Sequence, residues 1–76
     1  MSKQEFLRDL AAFLNESQDQ LREDLELDGL PGWDSTGIMG VVTLLADVLG
    51  AAPDIGRLRA CRTVGDIVAL TEGRLT

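Results

Sequence analysis

The 76-residue sequence contains no histidine, no tyrosine and a single cysteine, Cys61. Without histidine it lacks the usual general base near neutral pH and the commonest metal ligand. One cysteine can form neither an internal disulfide nor a cysteine-rich zinc site. A small chain without disulfides is typical of a reducing compartment, so a cytoplasmic location is the expectation. No apolar run resembles a signal peptide or a membrane span, since Lys3, Glu5, Arg8 and Asp9 interrupt residues 1–15. Basic residues are also scarce: seven Lys and Arg stand against thirteen Asp and Glu, a net charge of −6. Nucleic-acid binding, which needs a basic footprint, is not expected.

The length suits one domain, residues 1–76. A chain this short buries roughly 60% of the surface it exposes when unfolded, leaving little room for a deep, dry active site. Its charge is uneven. Residues 1–34 hold nine acids against Lys3, Arg8 and Arg22, while residues 35–76 balance four acids with four arginines. An acidic surface keeps a small monomer soluble and suits basic partner proteins.

The apolar pattern is helical. Ser2 and Glu5 are spaced as a capping box, and Phe6, Leu10, Phe13 and Leu14 follow on one helical face, with an end expected near Asn15–Ser17. Residues 17–33 show no clean period. They are acidic and end in Gly29, Pro31 and Gly32, but Leu21, Leu25, Leu27 and Leu30 supply apolar pegs that argue against disorder. The acids lack the ligand spacing of an EF-hand and read as solvated surface. A second helix follows Asp34, with a buried stripe expected at Ile38, Val41, Val42, Leu45, Val48 and Leu49. Its outward face would carry Thr36, Gly40, Thr43 and Asp47, and Gly50 would end it. Gly37 and Gly40 each lower helix propensity by about 1 kcal/mol relative to Ala, so packing must hold this helix. A short helix is expected at 54–60. Thr63 and Asp66 form a second capping box, opening a last helix expected to run about 10–12 residues. No alternating pattern predicts strands. The fold class is all-α: a three-to-four-helix bundle with a long first loop and a short third helix.

Chemistry is concentrated in Pro31-Gly32-Trp33-Asp34-Ser35-Thr36. Asp34 is a good N-cap, which places Ser35 on the first turn of helix two. Unpaired backbone N–H groups and the positive helix end favour a phosphate there. As a nucleophile of its own, Ser35 has no histidine to activate it. The hydrolase pattern Gly-x-Ser-x-Gly also fails, because residue 33 is Trp. A functional Ser35 would therefore be acted on by another enzyme. Cys61 reads as a small boundary residue and Trp33 as a wedge packing the loop end. Met39 is either core or part of a surface meeting cargo or partner.

The layout resembles the acyl carrier proteins of fatty-acid, polyketide and related pathways. The resemblance covers nearly the whole chain. It rests on Leu30-Pro31-Gly32-Trp33-Asp34-Ser35, the apolar pattern from Ile38 to Leu49, and Thr63-Val64-Gly65-Asp66-Ile67. It implies that Ser35 attacks coenzyme A on a Mg²⁺-dependent phosphopantetheinyl transferase and becomes the phosphodiester of 4′-phosphopantetheine. The arm's thiol then carries acyl thioesters between loading and transfer enzymes. By the same resemblance Asp34 aids transferase recognition, and Thr36 and Met39 lie at the cofactor. The chain itself is then no enzyme. The core around Val41, Val42, Leu45 and Ile67 is expected to admit an acyl chain between helix two and the last helix. A peptidyl carrier of the same fold, or a helical adaptor that has lost the arm, are the alternatives. Trp33-Asp34 before the serine favours the acyl type.

Two departures shape the expected partners. Thr36 replaces the family's usual leucine, and the outward face of helix two is nearly uncharged where fatty-acid carriers are rich in glutamate. Docking on basic patches of primary fatty-acid synthase enzymes should be weak. Loading rates with a housekeeping ketosynthase or malonyl transferase check this, and efficient turnover contradicts it.

Overall fold

The computed structural model describes residues 1–76 as four α-helices with no strands. Helix α1, Lys3–Leu14, begins with both reciprocal bonds of the Ser2–Glu5 capping box. It ends where Asn15 turns left-handed at φ 58°. Helix α2 spans Ser35–Leu49 and stops at Gly50, also left-handed at φ 70°. Helix α3, Ile55–Arg59, is capped by Asp54, whose carboxylate accepts from the Arg57 N–H. Helix α4, Val64–Ala69, starts with the Thr63–Asp66 capping box complete.

Helix α4 is six residues long, shorter than its sequence pattern predicts. Past Ile67 the bonds tighten to i→i−3, from Leu70 to Ile67, Thr71 to Val68 and Glu72 to Ala69. The buried Thr71 hydroxyl also donates to the Val68 carbonyl at 2.6 Å, taking an acceptor that the next helical turn would use. Glu72 and Gly73 then adopt positive φ and end the run.

The core joins Phe6, Leu10 and Leu14 of α1 to Val41, Leu44 and Leu45 of α2, Leu58 of α3, and Val64 and Ile67 of α4. The buried face of α2 is rotated from the expected stripe. Gly37, Val41, Leu44 and Leu45 are buried, whereas Ile38, Val42, Val48 and Leu49 are half-covered. The cause is Gly40, expected on the outward face. It lies under the Phe13 ring, and its missing side chain lets α1 approach α2 from that side. Phe13 keeps 40% of its surface exposed as the lid of this contact.

The long loop is fastened rather than free. Gln18–Gln20 form a 3₁₀ turn, and Leu21 and Leu27 are buried in the core. Backbone bonds then stitch the loop to the start of α4. Leu27 N–H donates to the Arg62 carbonyl at 2.8 Å, Val64 N–H to Leu25 at 3.0 Å, and Gly65 N–H to Glu23 at 2.8 Å. Glu26 and Thr63 pair as an isolated antiparallel bridge. The bridge needs Gly65 to lie close to the loop, since a Cβ there would stand 3.0 Å from the Glu23 carbonyl oxygen.

The Asp66 carboxylate anchors the far side of this seam, accepting from the N–H groups of Arg62 at 2.9 Å and Thr63 at 3.2 Å. These bonds, the Arg62 one foremost, hold its pKa below the ordinary carboxylate value. A lowered folded-state pKa contributes stability that is present above the unfolded pKa and is lost as pH falls through the folded one. Urea unfolding measured from pH 7 down into the acid range should show Asp66→Asn less stable at pH 7 and less acid-sensitive than the parent. Equal acid slopes would contradict this.

Candidate functional site

Two tight turns lead the chain into α2. Leu30 N–H donates to the Leu27 carbonyl at 3.0 Å, and Trp33 N–H donates to Leu30 at 3.1 Å. Gly29 at φ 90° supplies the left-handed step that the first turn needs. Trp33 is half-buried and packs on the core, as its size and position predict.

Asp34 caps α2 from extended backbone. Its Oδ1 accepts from the Gly37 N–H at 2.9 Å, and its carbonyl accepts from Ile38. The N–H groups of Ser35 and Thr36 find no acceptor within the protein. Ser35 is exposed on the first turn, with Asp34 and Thr36 exposed beside it. A phosphate at the Ser35 oxygen would meet two open donors and the positive end of a fifteen-residue helix. The dipole alone is worth about 0.3–1 kcal/mol at such an exposed position. Met39, one turn on, is 65% exposed and settles on the surface side of its two readings. Ser35, Asp34, Thr36 and Met39 thus share one solvent-facing corner of α2.

Three glycines set this corner in place, a role the sequence pattern gave them no credit for. A Cβ on Gly32 would collide with the backbone of Leu14, at the end of α1. One on Gly37 would collide with the Gly32 carbonyl oxygen and stand 3.2 Å from the Phe13 carbonyl oxygen. One on Gly40 would enter the Phe13 ring. Ser35 therefore lies between two points of backbone-on-backbone contact. The signal was the recurrence of Gly at 37 and 40 in a helix otherwise rich in branched side chains.

No family model, curated protein or solved structure matches the chain.

The core that was expected to admit an acyl chain is closed. Val41, Leu45 and Ile67 are fully buried, and no cavity is lined by Val41, Val42, Leu45 or Ile67. A polar groove of about 550 Å³ opens beside Trp33. Cys61, one of its lining residues, is half-buried and donates to the Arg57 carbonyl at 3.4 Å. Burial, then the Asp66 charge, push its thiol above the ordinary value, so it ionises less readily than a free cysteine. No helix is long and apolar enough to cross a membrane.

The glycine contacts predict an inverted substitution series. Gly→Ala in a helix normally gains about 1 kcal/mol. Gly37→Ala should instead destabilise by about 1–3 kcal/mol, as overpacking does, because backbone meets backbone. Gly40→Ala should cost less, since the half-exposed Phe13 ring can swing aside. Urea denaturation midpoints of the two variants check the order.

Proposed function

We propose that this chain is an acyl carrier protein, modified on Ser35 with 4′-phosphopantetheine and handing acyl groups between partner enzymes. One observation carries the reading. Ser35 is an exposed hydroxyl on the opening turn of α2, flanked by the capping Asp34 and two unpartnered N–H groups. The residues present suit the group: an accessible oxygen to esterify, donors to receive a phosphodiester, and nothing burying the arm's path outward.

When attached, the arm supplies a thiol for thioester exchange. The chain's own residues do the rest. Asp34 holds the first turn and offers a carboxylate beside the attachment oxygen. Gly32 and Gly37 fix the distance of that turn from α1. Thr36 and Met39 present a neutral surface on which a transferase or acyl-transfer enzyme can settle. The attacking hydroxyl has no base within the chain, so the phosphopantetheinyl transferase, with coenzyme A and Mg²⁺, must take its proton. The expected setting is a cytoplasmic monomer in a fatty-acid, polyketide or more specialised acyl pathway.

Incubation with coenzyme A, Mg²⁺ and a promiscuous phosphopantetheinyl transferase should add one phosphopantetheine to the intact mass. Ser35→Ala should add none while keeping the helical circular dichroism of the parent. Absence of a mass gain on the parent chain would leave the adaptor reading in its place.

A further inference from the structure

The groove beside Trp33 is not needed for attachment at Ser35, yet the two are neighbours. Two residues of chain separate Trp33 from Ser35, a span of about 7 Å at most. The loop brings Glu26 and Asp28 to the groove, and the connection from α3 to α4 brings Arg59 and Arg62. All four side chains are exposed. None pairs with another, for the ion pairs of the molecule are Lys3–Glu23 and Arg8–Asp9. The half-buried indole of Trp33 and Cys61 contribute the groove's apolar surface.

The opposition of charge is set by the backbone. The Glu26–Thr63 bridge and the Leu27-to-Arg62 bond at 2.8 Å hold the two segments side by side. Two carboxylates and two guanidinium groups are thus kept around one groove with no close ion pair among them. A ligand of one sign would be drawn to one pair and repelled by the other. A ligand carrying both signs finds partners of each kind there: carboxylates for its ammonium, and the forked donors of arginine for its carboxylate. Free in solution it would bind weakly, because the groove is open and exposed ion pairs are weak. Tethered to a residue two positions from Trp33, it is present at an effective concentration on the order of millimolar.

We propose that this groove holds the acyl group carried on the Ser35 arm, and that the group is small and dipolar. Its chemical class is an amino acid joined to the arm through its side-chain carboxyl, leaving ammonium and carboxylate free. The proposal rests on the carrier reading above and adds the cargo to it.

Four loaded forms test it, each linked by an amide in place of the thioester so that none hydrolyses or cyclises. They carry γ-glutamyl, glutaryl (no ammonium), 4-aminobutyryl (no carboxylate) and butyryl (neither). Trp33 is the single tryptophan and there is no tyrosine, so its fluorescence reports the groove alone. Acrylamide quenching should be weakest for the γ-glutamyl form, with each missing charge raising accessibility about two- to fivefold. The double variant Arg59→Gln/Arg62→Gln should bring the γ-glutamyl form to the 4-aminobutyryl level. Glu26→Gln/Asp28→Asn should bring it to the glutaryl level. Equal quenching of all four forms, a glutaryl form as shielded as γ-glutamyl, or indifference to both double variants would overturn the proposal. Intact mass, taken first, separates the two claims. An arm that never attaches ends the carrier reading and this proposal together, whereas an attached arm with uniform quenching ends only the proposal.

Discussion

The geometry of this molecule turns on backbone lying directly on backbone. Gly32 runs between the end of α1 and the first turn of α2, against Leu14 on one side and Gly37 on the other. No side chain can be interposed there. Close packing of this kind leaves the neighbouring atoms few alternative arrangements, because interiors are as dense as organic crystals. Ser35 lies between the two contacts. A residue at the end of a long loop would ordinarily be mobile, but here the last residues of the loop are clamped against two helices.

A second constraint acts at the loop's middle. Leu21 and Leu27 bury their side chains, and the backbone from Glu23 to Leu27 pairs with Arg62 to Gly65. The loop therefore serves as a structural layer on one side of the bundle. This arrangement also sorts the charges. The acids of residues 23–28 and the arginines of residues 57–62 approach one another only because the bridge brings them together. The corner of α2 that carries Ser35 adjoins this charged surface through Trp33 and bears one charge of its own, Asp34.

Much of this could be read from residue order. Ser2, Asp34, Asp54 and Thr63 are local signals, and a cap is decided by the few residues around it, so all four helix starts were legible. Gly50 as a helix end was legible for the same reason. The length of α4 was not, because its apolar residues continue to Leu70. The stop comes from the Thr71 hydroxyl and the left-handed Glu72, neither of which has a strong pattern. The face of α2 was misjudged by the weight given to Ile38, Val42 and Leu49, whose hydrophobicity equals that of Leu44. Only the approach of Phe13 to Gly40 decides between the two faces, and that is a contact between distant segments. The exposed Ser35 was legible from its cap. The groove was not, since it joins residues 26–33 to residues 59–63 through pairing that no alternation announces.

The seam between Leu25–Leu27 and Arg62–Val64 also bears on how the molecule opens. Its hydrogen bonds connect segments more than thirty residues apart in sequence, closing a loop that contains all of α2 and α3. Amides that depend on the same few bonds should exchange with solvent together. Release of those bonds would free the acidic layer and dissolve the groove. It would also loosen the core, because Leu21 and Leu27 are buried in the same cluster as the residues of α1 and α2.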